Sequence, residues 1–173
     1  MENILQHTSK WFVTAQHILQ KTLQSLQNIL APLLAWAGGI EQICVMTARG
    51  LLGLFFIYFG LDKFVNYADT TIYMSSFSVP GLFLPVVILL EIAGGIALLV
   101  GWRFKLTAGL LAGFTGLAAL VFHSDFAEPV QVILFMKNMA IVAGLLLFVA
   151  IGAGQLSLDA QKAKKTRKPK KSK

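Results

Sequence analysis

A chain of 173 residues that is 56% hydrophobic and only 13% charged departs from soluble globular domains, where charged residues make up about a quarter. Its net charge of +7 is local, because Lys162, Lys164, Lys165, Arg167, Lys168, Lys170, Lys171 and Lys173 oppose only Asp159 in the tail and the rest of the chain cancels. No aromatic or folded reader accompanies that charge, which argues against nucleic-acid binding, and the lone Cys44 excludes an intramolecular disulfide and Cys-x-x-Cys thiol chemistry.

Residues 1–42 read as an amphipathic helix. Ile4, Phe12, Ile18, Leu19, Leu23, Leu26, Ile29, Leu30, Leu33 and Leu34 recur at spacings of mostly three and four, opposite Gln16, Gln20, Gln24, Gln27 and Asn28. The apolar run 29–40 is interrupted by Pro32 and Gly38-Gly39, and at about 12 residues it is too short to span a bilayer. An interfacial helix on the cytoplasmic leaflet is expected. Its glutamine face lacks the basic rim of anionic-lipid binders, which keeps docking of a partner protein or a second copy open. No basic stretch followed by an apolar core stands at the N-terminus, so the first span is expected to act as its own insertion signal.

Four apolar stretches then reach the roughly 20 residues needed to cross hydrocarbon, at 43–64, 82–101, 104–122 and 130–152. Val79-Pro80-Gly81 supplies the turn before the second, and Glu128-Pro129 opens the fourth with a proline that costs no helical bond. Arg49, Arg103, Lys105 and the basic tail all lie at one side, while the opposite loops hold Asp62, Lys63 and Asp69, or His123, Asp125 and Glu128. The positive-inside rule places both termini in the cytoplasm. The fold class is therefore all-α: a polytopic four-helix transmembrane bundle at 43–155, preceded by the amphipathic extension 1–42 and followed by a basic tail, 156–173, expected to be disordered for lack of apolar surface to bury.

Two ionisable groups fall within the spans. Counted from the outer boundary, Glu91 and Lys137 lie at similar depths of roughly 12 to 14 Å. A charge at a helix centre costs about 2.5 to 3.5 kcal/mol on insertion scales, so the two are expected to face inward and pair with one another. Such a pair serves either as a lock for the bundle or as the polar floor of a ligand or proton-handling site. Arg49, Gly53, Phe56, Gly60 and Lys63 share one face of the first span, although Arg49 and Lys63 could instead snorkel to the headgroups. Tyr58 and Asn138 add polar groups at similar depth. Gly94, Gly95, Gly109, Gly113, Gly116 and Gly144 mark close helix contacts. His7, His17 and His123 do not share one depth, so neither haem nor a metal site is expected, and His123 with Asp125 and Glu128 reads as a solvated outer loop. No nucleophile elbow, phosphate loop or dinucleotide fingerprint occurs, and no catalytic residue is assigned.

From about Met46 to Ala160 the chain resembles the DoxX family of bacterial and archaeal membrane proteins. The resemblance lies in Phe56-Ile57-Tyr58-Phe59-Gly60-Leu61-Asp62-Lys63-Phe64, Val79-Pro80-Gly81, Leu90-Glu91-Ile92-Ala93-Gly94-Gly95, Phe122-His123-Ser124-Asp125-Phe126, Phe135-Met136-Lys137-Asn138 and Leu156-Ser157-Leu158-Asp159-Ala160. It implies a four-helix protein of the bacterial inner membrane, in a family named for a small subunit associated with archaeal quinol oxidation. Some relatives are linked to redox and thiol-protective assemblies, but a fold does not carry an activity with it. The expectation is an accessory, non-catalytic subunit that binds a hydrophobic ligand, a quinone or lipid, against Glu91, Lys137 and Arg49, with Phe56, Tyr58 and Phe122 lining the cavity. Electrons would come from a redox partner protein. A scaffold acting through the N-terminal helix is the alternative, homo-oligomerisation is open, and a small transporter or proton pathway has little support without an internal repeat.

Overall fold

The structure, a computed structural model, describes residues 2–167. They form α1 (Glu2–Val65), α2 (Tyr67–Ser76), a 3₁₀ turn (Gly81–Phe83), α3 (Leu84–Val100), α4 (Phe104–Phe122), α5 (Pro129–Ile151) and α6 (Leu158–Arg167). Among the described residues there is no strand, as the all-α reading requires. Four helical stretches among the described residues are long and apolar enough to cross a membrane: Gly38–Val65, Gly81–Val100, Phe104–Phe122 and Pro129–Ile151.

Between Glu41 and Gln42 the chain divides into two compact units. In the first, α1 continues through Pro32, which interrupts the apolar run but not the helix. Leu19, Leu23, Leu26, Ile29 and Leu30 are exposed there, as one face of an amphipathic helix without a partner would be.

The second unit holds the first apolar stretch from Gln42 onward and the other three whole. Its helix ends follow local backbone chemistry. Pro85 stands in the first turn of α3, and Gly101 closes that helix at φ 68°, a left-handed conformation that favours glycine. Trp102 N–H then donates to Ala97 O at 2.9 Å, completing the C-terminal wrap. Pro129 opens α5. The core is a cluster around Phe56, Leu98, Phe104, Leu111, Leu145 and Phe148.

Glycines set the closest approach, between α1 and α3. A Cβ on Gly53 would lie 2.8 Å from Gly95 O, and one on Gly95 would lie 2.6 Å from Gly53 O, so the two backbones touch. Gly60 does the same further along: its Cβ would stand 2.7 Å from Ile92 Cγ1 and 3.1 Å from Glu91 Cβ. Gly94 admits Leu111, whose nearest methyl would sit 3.0 Å from an added Cβ. At Gly109, Gly113, Gly116 and Gly144 the packing leaves room for a Cβ. Added Cβ atoms there meet ordinary van der Waals neighbours at 3.8 to 3.9 Å, or in the case of Gly113 nothing within 4 Å.

Arg49 departs from the sequence reading. It neither faces a ligand beside Glu91 nor snorkels outward, and is only 4% exposed. Its guanidinium donates to Leu98 O at 3.1 Å, Leu99 O at 2.6 Å, Ala153 O at 2.6 Å and Leu156 O at 3.1 Å. These carbonyls lie at the C-terminal end of α3 and in the segment after α5, where helix ends leave acceptors unsatisfied and carry partial negative charge. A planar five-donor fork fits that demand. The ring of Phe104 stands 5.6 Å from the guanidinium carbon.

The tail also differs from expectation at its start. Ser157 Oγ accepts from Ala160 N–H at 3.1 Å and so caps α6, which occupies part of the segment expected to be disordered. Asp159 accepts from Arg103 N–H at 3.0 Å and Phe104 N–H at 2.8 Å, capping α4 from a distant point in the chain. Lys168, Pro169, Lys170, Lys171 and Lys173 lie outside the described residues.

Replacing Arg49 by Ala is expected to lower stability by about 3 kcal/mol or more, since several buried carbonyls lose a charged donor at once. Arg49→Lys should recover little of it, because one ammonium cannot reproduce the fork. Thermal unfolding in detergent checks both, and an alanine variant as stable as the parent would contradict the role assigned to the fork.

Candidate functional site

At the opposite end of the bundle from Arg49 the helices enclose a partly open cavity of about 240 Å³. Phe55, Phe56, Phe59 and Lys63 line it from α1, Thr70, Tyr73 and Met74 from α2, and Leu84, Val87 and Glu91 from α3. The wall is completed by Phe114, Thr115, Ala118 and Phe122 of α4, by His123, and by Lys137 and Asn138 of α5.

Hydrocarbon around the spans makes any lone charge unfavourable, and Glu91 is 4% exposed. Its partner is Lys63 rather than Lys137, which corrects the sequence expectation. Lys63 Nζ lies 2.9 Å from Glu91 Oε1, to which it donates a hydrogen bond, and 2.9 Å from Oε2, which is in ionic contact without an aligned hydrogen bond. The close pass at Gly60 explains the choice. It brings the last turns of α1 against Glu91, and Lys63 follows Gly60 by three residues on the same helix face. Lys63 also donates to Phe59 O at 3.4 Å.

Lys137 lines the same cavity and makes no ion pair among the described residues. Its ammonium stands 5.8 Å from the Phe59 ring centroid, and that of Lys63 stands 5.6 Å from it, so both cations address one aromatic ring. Phe55 packs against Phe59 at 4.6 Å between centroids. Across the cavity Tyr73 stacks on Phe122 at 5.6 Å. Desolvation by the surrounding side chains pushes the Tyr73 phenol above its ordinary pKa.

The other predicted site residues separate. Asn138 is on the cavity wall. Tyr58 is 65% exposed and absent from the wall, its ring lying edge-on against Phe59 at 5.2 Å between centroids. His123 reaches the cavity and holds Gln131 Oε1 at 2.8 Å through Nδ1, which fits a proton on Nδ1 and leaves Nε2 as an acceptor in the neutral ring. Asp125 turns away to accept from Ala127 N–H at 3.2 Å in the loop. No group of three or more His, Cys, Asp or Glu positioned for a metal occurs among the described residues.

Thr115 was not singled out by sequence reasoning. It is 6% exposed, and its Oγ1 has no hydrogen-bond partner among the described residues. The available signal was a pair of threonines, Thr107 and Thr115, in a helix whose other polar side chain is Lys105. Tyr73 and Thr70 were missed because α2 follows the first span and carries no motif of its own.

Comparison with known proteins places these features in a family. Residues 44–124 match the DoxX family. The inner membrane protein YqjF of Escherichia coli (strain K12) is 47% identical over 120 residues, covering 69% of this chain and 92% of the relative. The chain belongs to the DoxX family. It is an integral inner membrane protein of that family. A more distant relative, the inner membrane protein YphA of the same organism, is 29% identical over 130 residues, with 70% of this chain and 92% of the relative covered. No solved structure matches significantly. Within this DoxX bundle the cavity draws on each apolar helix and on α2, so its polar groups depend on one arrangement of the whole unit.

Lys63→Met and Glu91→Leu are each expected to cost about 3 to 5 kcal/mol by stranding a charge, while the double variant should recover a large part of that loss. Thermal or denaturant unfolding of the four proteins in one detergent measures the coupling; additive losses would contradict the pair.

Proposed function

We propose that this DoxX protein is a non-catalytic accessory subunit of a redox-linked membrane assembly that takes up a hydrophobic ligand, a quinone or lipid, with its polar end in the cavity. The single observation that carries this reading is the cavity itself, an aromatic enclosure with a few polar groups set into it, which is the usual composition of a small-molecule site. Phe59 supplies an apolar face between the ammonium groups, and Glu91, held by Lys63, supplies a fixed acceptor. The basic residues Arg103, Lys105, Lys162, Lys164 and Lys165 favour an orientation with both termini in the cytoplasm. In that orientation the cavity lies toward the outer leaflet.

Purified protein in lipid nanodiscs should bind a short-tailed quinone or a single-chain lipid saturably, and Glu91→Gln should weaken that binding by about tenfold, a loss of 1.4 kcal/mol. Absence of saturable binding for both ligand types rejects the reading.

The exposed face of α1 favours a second role, as a scaffold. Leu19, Leu23, Leu26, Ile29 and Leu30 range from 50 to 62% exposed, a stripe suited to another apolar surface. Deleting residues 2–30 should then abolish co-purification of a partner while the four spans remain inserted; a partner retained by the shortened chain contradicts it.

A further inference from the structure

The polar groups on the cavity wall do not balance. Lys63 and Lys137 set two ammonium groups against the one carboxylate of Glu91, and the carboxylate is taken up by Lys63 at 2.9 Å. Lys137 is exposed on α5 and has no ion pair among the described residues, so an incoming group can reach it. Thr115 places a second donor on the same wall, a hydroxyl in a 6% exposed residue with no hydrogen-bond partner. Buried hydroxyls are normally satisfied, and one that is not points to a missing acceptor. Glu91 Oε2 also lacks a hydrogen bond, but its charge is met by the Lys63 ammonium.

We infer that the cavity receives the head of a carboxylate amphiphile of single negative charge, its oxygens accepting from the Lys137 ammonium and the Thr115 hydroxyl. This rests on the ligand reading above and narrows the ligand's polar end. One unmatched ammonium calls for one negative charge, which a divalent phosphate would exceed. A quinone carbonyl would accept the hydrogen bonds and leave the charge unmatched. Size points the same way: a dry cavity of about 150 Å³ accommodates benzene, so about 240 Å³ suits a substituted ring or a short single chain and is too small for a two-chain lipid. The apolar body lies against Phe55, Phe59 and Phe122, whose ring faces and edges accept either an aromatic or an aliphatic surface.

The test uses the full-length protein in zwitterionic nanodiscs, with empty nanodiscs correcting for partition into lipid. Calorimetric titration compares 2-naphthoate with 2-naphthamide and octanoate with octanamide, pairs that differ in charge but hardly in shape. Preference for the acid by about tenfold or more in either pair is expected, and the pair that shows it distinguishes an aromatic acid from a fatty acid. Lys137→Met should abolish the preference, Lys137→Arg should retain it, and Thr115→Val should weaken acid binding severalfold, with the unfolding midpoint of each variant confirming an intact bundle. Equal binding of acid and amide by the parent protein, or a preference that survives Lys137→Met, overturns the inference and leaves the ligand reading standing. Failure of all these probes, together with the quinone and single-chain lipid, overturns both.

Discussion

A carboxylate set among apolar helices has to meet a cation, and at Glu91 that requirement organises the outer half of the bundle. Lys63 can reach it only because α1 and α3 come close at Gly60, where the nearest atoms of α3 leave no room for a Cβ. Once Lys63 is committed there, Lys137 is left without a counter-charge among the described residues, and the cavity enclosed by α1 to α5 keeps an unpaired cation on its wall. The ion pair and the unmatched ammonium are consequences of the same choice of partner.

The two ends of the bundle solve the problem of buried charge in different ways. Arg49 needs no carboxylate, because the carbonyls of Leu98, Leu99, Ala153 and Leu156 converge on its guanidinium and supply partial negative charge from helix ends and the following turn. Asp159 and Ser157 close the same end by capping α4 and α6. That end is satisfied within the chain. At the other end Phe55 packs against Phe59 and Phe122 against Tyr73, and an ammonium and a hydroxyl on the cavity wall remain without an ion pair or a hydrogen-bond partner among the described residues.

The match to the family model covers residues 44–124, which include the Gly53 and Gly95 contact, Arg49, the Lys63 and Glu91 pair, Thr115 and His123. Lys137 and Asn138 lie beyond it. The cavity therefore joins the part of the chain that matches the family model to groups on α5.

Much of the architecture was legible from composition alone. Hydropathy over about 20 residues is a local quantity, so the four spans, their turns at Val79-Pro80-Gly81 and Glu128-Pro129, and the all-α class could be read directly. Depth can also be counted along a helix, which sets Glu91, Lys137 and Asn138 within the spans, whereas periodicity gives Lys63 only a helix face. The pairing could not be counted in this way. Whether Glu91 meets Lys63 or Lys137, whether Arg49 faces a ligand or a ring of carbonyls, whether Tyr58 looks inward, and whether Gly113 touches anything are decided by how helices rotate and how closely they pass. Those quantities depend on contacts between residues far apart in the chain, and neither periodicity nor composition contains them.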